Sequence, residues 1–231
     1  MNTLNINHLL NRDEEAQKIK SILQKFEENK NDLLTKKGFY IYGDPGSGKS
    51  SFIINILKEL NYDIIKYDAG DVRNKNLIDT ITSDNISNRN VLHMMTKKVK
   101  KIAIVMDEID GMNNGDKGGI TALIKLIRQK KTKKQRLEST TMNPVICIGN
   151  YYVDKKIKEL MKVCNVYELK PPTTDQTQAV LYKLLPSVTF TSDVTLKILL
   201  KYIQSDMRKL GFVYDMFKNQ SELLSSEIIQ T

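Results

Sequence analysis

Apolar residues fall along this chain in two alternating spacings. The runs FYIY from Phe39, IAIVM from Ile102 and VICI from Val145 are continuous, whereas the stretches between them place apolar residues at helical intervals. Continuous apolarity over so few residues suits central strands of a parallel sheet covered on both faces. The spacing of Leu9, Leu10, Ile19, Ile22, Leu23 and Phe26 predicts a helical region over 7–28, with Asn11 or Asp13 as its cap. A lysine-rich loop over 29–37 leads to a strand over 38–42, a glycine-rich turn and a helix ending at Leu60. A second strand is expected over 62–67, polar turns over 68–76 and 84–90, and short helices over 77–81 and 91–95. Strands come next over 102–106, 145–149 and 166–169. Helices are expected over 120–127 and 155–162, with loops over 111–119 and 128–143.

Pro171 and Pro172 break the pattern. Beyond them the strand signal fades and helices are expected over 174–185, 193–203 and 207–217. Strand–helix alternation followed by a helical appendage predicts an α/β fold: a parallel sheet with helices on both faces, then a small three-helix lid. The expected division is residues 1–170 for the α/β domain and 171–231 for the lid.

Composition narrows the picture. With 231 residues and 40% apolar content the chain can bury a sizeable core, with room for a small second domain. No apolar run is long enough to span a bilayer, so no membrane association is expected, and the N-terminus is too polar for a secretory signal. Cys147 and Cys164 make no disulfide framework and suit a reducing compartment. The two histidines, His8 and His93, are isolated, so no His/Cys zinc cluster is expected. A net charge of +9 suggests a polyanion partner such as nucleic acid, although the abundance of Lys, Asn and Ile equally fits an AT-rich genome.

The chemistry concentrates at strand ends. Gly43, Asp44, Pro45, Gly46, Ser47, Gly48, Lys49, Ser50 and Ser51 follow an apolar strand and open an apolar helix. The spacing G-x-x-x-x-G-K-[ST] is that of a Walker A phosphate loop. Gly46 and Gly48 let the backbone curl its N–H groups toward phosphate oxygens, and the adjoining helix directs its positive end at the same anion. Lys49 is placed to reach the β- and γ-phosphates of ATP, and the Ser50 hydroxyl to ligate Mg²⁺. The run Ile104 to Glu108 has the Walker B form, an apolar strand ending in carboxylates. Asp107 is expected to hold Mg²⁺ through water and Glu108 to orient the attacking water. Asn150, at the tip of the next apolar strand, reads equally as a water-positioning amide or a turn residue. Arg208 reads as a residue reaching the phosphates or, more ordinarily, as a solvent-facing arginine. Arg128, Lys130, Lys131, Lys133, Lys134 and Arg136 form a basic run that fits either a DNA backbone contact or a solvated insertion. It has no interleaved aromatics for base stacking.

GDPGSGKS, YDAGDVRNK, MDEIDGM followed by DKGGI, VICIGN and SDMRKL together resemble the AAA+ clamp-loader ATPases, and within them the large subunit of replication factor C. The resemblance covers roughly residues 7–217. It implies that Asn150 is sensor 1 and Arg208 sensor 2, that both are catalytic alongside Glu108 and Lys49, and that ATP and Mg²⁺ are the ligands. It further implies ATP-driven loading of a sliding clamp on primer–template DNA. Small clamp-loader subunits carry a Ser-Arg-Cys motif. The corresponding Lys162-Val163-Cys164 has no such arginine, so small subunits are expected to supply an arginine finger in trans, with weak hydrolysis by this chain alone. The family's tryptophan-containing motif near adenine is absent, and Asn11-Arg12-Asp13-Glu14 resembles only the next part of that region. The chain ends soon after the lid, so no collar domain is expected. The resulting expectation is an ATP-hydrolysing clamp-loader subunit in DNA replication, in a nucleus or at a cytoplasmic replication site. Two alternatives are a nucleotide-switched assembly subunit with little hydrolysis and an AAA+ protein remodeller, which would need an aromatic pore loop that 68–76 lacks.

Overall fold

The computed structural model describes residues 6–29, 32–68, 101–114, 119–138, 141, 143–150, 154–185 and 193–219. The turns and short helices expected between 69 and 100 lie outside the described residues.

The strands are β1 (Gly38–Tyr42), β2 (Tyr62–Asp68), β3 (Lys101–Asp107), β4 (Val145–Gly149) and β5 (Cys164–Glu168). They form one parallel sheet in the order β2-β3-β4-β1-β5. Tyr40, Ile104, Met106, Val145, Cys147 and Cys164 are buried on one face against α4 (Gly119–Ile127) and α6 (Lys155–Val163). The alternate positions Phe39, Ile41, Val105, Ile146 and Ile148 are equally buried. Both faces are therefore covered, which is why these strands read as continuous apolar runs rather than alternating ones. The last strand begins two residues before the expected 166. Cys164 is both the cap of α6 and the first paired residue of β5, opposite Gly38.

The helical region expected over 7–28 is two helices, α1 (Ile6–Leu9) and α2 (Asp13–Glu28). The chain turns between them through Asn11 at φ +53°, a left-handed conformation asparagine tolerates better than most side chains. Asp13, Glu14 and Glu15 then fill the first turn of α2, where the helix dipole favours carboxylates.

The basic stretch expected as loop contains α5 (Lys133–Arg136), a single turn capped by a reciprocal Thr132–Gln135 pair. Not all of its charge faces water. Arg128 pairs with Glu138, and Lys130, 1% exposed, donates to the Lys125 carbonyl and to Glu138 at 3.3 Å. Their partners are within the chain, so of the named cations only Lys131, Lys133, Lys134 and Arg136 remain at a surface a polyanion could approach.

Residues Gln17–Gly43 and Lys49–Leu169 form one compact unit; Met1–Ala16, Asp44–Gly48 and Lys170–Thr231 form the other. In the second, α7 (Thr174–Leu184), α8 (Asp193–Ile203) and α9 (Met207–Asn219) share a core of Val180, Leu181, Leu199, Ile203, Leu210 and Val213, to which Leu10 also belongs.

Both cysteines are free thiols, and burial pushes Cys164 up to about 12 and Cys147 well above its ordinary value. A thiol reagent at pH 8 should therefore label the native protein only as fast as it unfolds, while denaturant should expose both groups at once. Rapid labelling of the folded chain would contradict this burial.

Candidate functional site

The carboxyl ends of β1, β3 and β4 bring Lys49, Ser50, Asp107 and Asn150 of the expected residues together. In open α/β sheets this edge is where ligands bind. Lys49 is the first residue of α3 (Lys49–Glu59), which follows β1 directly through the glycine-rich turn. Its side chain is largely buried and donates to the Gly43 carbonyl at 3.0 Å and to Asn150 Oδ1 at 3.1 Å. Gly43 admits no side chain: a Cβ there would lie 2.2 Å from the Leu169 carbonyl oxygen.

Ser50 Oγ donates to Asp107 Oδ2 at 2.7 Å, joining the start of α3 to the end of β3. Asp107 Oδ1 accepts the Glu108 backbone N–H at 3.0 Å. Glu108 is exposed and sits at φ +54°. That conformation costs on the order of 1 kcal/mol or more for a residue with a Cβ. It turns the chain off the strand, so the adjacent carboxylates leave the backbone in different directions.

Lys66 of β2 is a member of this cluster that the motifs do not include. Its Nζ lies 3.2 Å from Asp107 Oδ2 and 3.2 Å from Asp68 Oδ1. Partial burial opposes its charge, but hydrogen bonds to the two carboxylates win and hold the ammonium above its ordinary range. A lysine directly after the apolar pair Ile64-Ile65, two residues before the acidic end of the strand, is the sequence signal that marks it.

Asn150 is held from below. Its backbone N–H donates to Asp110 Oδ2, while Asp110 Oδ1 is buried with no hydrogen-bond partner among the described residues. Burial pushes the Asp110 carboxyl up. The Asn150 N–H and the Lys49 charge oppose that shift, and Glu108 adds to it. Gly149 makes the arrangement possible: a Cβ there would stand 2.5 Å from the Tyr40 hydroxyl and 2.6 Å from Asp110 Oδ1.

Asp44–Gly48 belongs to the other compact unit and has its own supports. Arg12 donates through Nη2 to the Ser47 carbonyl and to the Lys170 carbonyl, each at 2.9 Å. Burial lowers the Arg12 pKa to about 10, leaving it a cation at neutral pH. Met207 N donates to the Gly46 carbonyl at 2.8 Å. Gly46, at φ +79°, has the Asp206 carboxylate where a Cβ would be, 2.3 Å from its carbon. Arg208 projects largely into solvent and pairs with Asp206 at 3.2 Å. No sequence motif announced the Arg12 contacts, because both acceptors are main-chain carbonyls far away in the chain.

Ser50 and Asp107 offer hard oxygen donors and fit Mg²⁺, an ion that takes one or two protein oxygens and completes its shell with water and phosphate. Among the described residues no group of three or more His, Cys, Asp or Glu could hold a metal by itself.

The family model described as ATPase family associated with various cellular activities (AAA) matches residues 39–171, more than half of the chain. The chain belongs to the AAA family of ATPases. This AAA ATPase is 28% identical over 174 residues to the replication factor C large subunit of Methanococcus aeolicus, covering 74% of this chain and 33% of that protein. The replication factor C large subunit of Nanoarchaeum equitans is 28% identical over 173 residues, covering 74% and 36%. Replication factor C subunit 1 of Drosophila melanogaster is 30% identical over 145 residues, covering 61% and 14%. The matched part is thus a third or so, or less, of each relative's length. Among solved structures, a point mutant of RuvB from Thermotoga maritima matches with a TM-score of 0.58. It covers 91% of this chain and 65% of that one at 12% identity, a likeness of fold.

The Asp110 environment gives a signed expectation. Its folded pKa is raised, so its contribution to stability is full below the unfolded value and is lost as pH rises through the folded one. Asp110→Asn keeps an acceptor for Asn150 N–H and removes the buried charge. It should be as stable as the parent or more stable at pH 7, with a flatter melting temperature from pH 4 upward. Asp110→Ala should lose about 1–3 kcal/mol by stranding that N–H. Thermal melts across pH check both.

Proposed function

We propose that this AAA ATPase binds ATP with Mg²⁺ at the carboxyl edge of its sheet and hydrolyses it as a clamp-loader-type subunit in DNA replication. One observation carries the nucleotide reading. The Ser50 hydroxyl donates to the Asp107 carboxylate and the Lys49 ammonium to Asn150, so the ends of three neighbouring strands meet at these side chains. The residues assigned to phosphate are Gly43, Asp44, Pro45, Gly46, Ser47, Gly48, Lys49, Ser50 and Ser51.

In the reaction, water attacks the γ-phosphorus and gives up a proton to Glu108 as the bond to the β–γ bridging oxygen breaks, releasing ADP and inorganic phosphate. Lys49 balances charge on the β- and γ-phosphates, Glu108 orients and polarises the water, and Asn150 fixes its position beside the transferred group. Bound Mg²⁺, held by Ser50 and Asp107, would supply charge neutralisation between the phosphates. Arg208, within a lid at residues 171–231 that follows an ATPase domain at 1–170, acts as the sensor of bound phosphate. Similarity to replication factor C large subunits supports the clamp-loader reading, and with it small partner subunits, a sliding clamp and primer–template DNA as partners. The chain then works where DNA is replicated, in a nucleus or at a cytoplasmic site. The missing arginine at Val163 makes it a receiver of an arginine finger rather than a donor.

Lys49→Ala should abolish ATP binding measured by a fluorescent analogue. Glu108→Gln should retain binding and lose turnover. The isolated chain should hydrolyse ATP slowly, and partner subunits with clamp and primed DNA should raise the rate, an arginine finger alone contributing up to about 10³–10⁵. Binding without any such stimulation would instead make the nucleotide an assembly switch.

A further inference from the structure

Asp107 has each oxygen engaged by protein. Oδ1 accepts from Glu108 N, and Oδ2 accepts from Ser50 Oγ at 2.7 Å and faces Lys66 Nζ at 3.2 Å. The lysine is placed by the sheet itself. Lys66 pairs in register with Val105, two residues before Asp107 on the neighbouring strand, so Lys66 and Asp107 emerge on the same face. The two partners differ in exposure: the Asp107 side chain is 11% accessible and the Lys66 side chain 43%. A carboxylate that buried is costly to leave unpaired, whereas a half-exposed ammonium on a flexible stem can return to water with little loss. Lys66 also has a second carboxylate beside it, Asp68, that could keep it once Asp107 is taken.

Asp107 is expected to hold Mg²⁺ through water, and that water would have to donate to the carboxylate that Lys66 Nζ now contacts. Ion and ammonium are also like charges beside one carboxylate, so each would weaken the other's hold. Resting on the nucleotide reading above, we propose that Lys66 is a built-in counter-ion for Asp107 that the metal must displace. Its release then sets how much Mg²⁺ is needed before nucleotide binds tightly. The lysine keeps the buried carboxylate neutralised in the absence of nucleotide, and it makes the metal-loaded state conditional on an ion and a triphosphate arriving together.

The test is a MgCl₂ titration of fluorescent ATP-analogue binding, from EDTA to saturating metal, in the parent chain, Lys66→Met, Lys66→Gln and Lys66→Arg. Removing one partly exposed competing charge should lower the Mg²⁺ midpoint about three- to tenfold in Lys66→Met and Lys66→Gln, in keeping with the modest strength of such pairs. Affinity at saturating Mg²⁺ should be equal or tighter. Lys66→Arg, which keeps the charge, should stay nearer the parent. An unchanged midpoint in folded Lys66→Met or Lys66→Gln, checked by thermal melting, overturns the proposal. So does weaker binding at saturating Mg²⁺, which would make Lys66 a ligand of the phosphates. If the parent chain binds no nucleotide at any metal concentration, the nucleotide reading itself fails. If it binds and the midpoint does not move, only the role of Lys66 fails.

Discussion

A carboxylate at the end of a central strand has to be neutralised, and the arrangement of this site follows from how that is done. Asp107 terminates β3, a strand buried on both faces, and its side chain is mostly out of water. An ionised carboxyl there is tolerable only with donors on both oxygens. The chain supplies a backbone N–H from the next residue, a hydroxyl from the first turn of α3 and an ammonium from β2. Two elements distant in sequence, α3 and β2, are thus tied to the end of β3. In the proposed reaction these same ties would supply a metal ligand and a nearby positive charge.

The same economy appears next door on β4. That strand lies between β3 and β1 and ends in Gly149, whose missing side chain leaves space for the Tyr40 hydroxyl and Asp110. Asp110 in turn grips the main chain of Asn150, and Asn150 engages Lys49. The tip of the strand is held by a half-buried acid. Backbone conformation does similar work at Glu108, whose left-handed φ is maintained because Asp107 caps its N–H and Gly111 donates to its carbonyl at 2.9 Å.

Much of this was legible in the residues. Three apolar runs predicted the central strands because a strand covered on both faces has no polar position to alternate with. The phosphate-loop spacing and the acidic end of the Ile104–Asp107 run picked out the residues that meet at the sheet edge, since in a parallel fold all strands finish on the same side. Helix boundaries at Asn11 and within the basic stretch were less legible. A left-handed asparagine and a one-turn helix with a Thr132–Gln135 capping pair are local choices that tertiary packing can override. The basic stretch shows the limit most clearly. Six cations in nine positions look alike in a sequence, yet Arg128 and Lys130 turn inward to Glu138 while others remain outside.

By itself, then, the order of residues determined the alternation of strand and helix, the parallel sheet and which groups are candidates for phosphate and metal chemistry. Those depend on periodicity and on spacing within a few residues, which the chain carries locally. Strand order, the register that sets Lys66 beside Asp107, the hold of Asp110 on Asn150 and the reach of Arg12 to two main-chain carbonyls were decided only by the folded structure. Each joins residues with no local signal for the other, and partnership at that range comes from which strands pair and which surfaces are buried together.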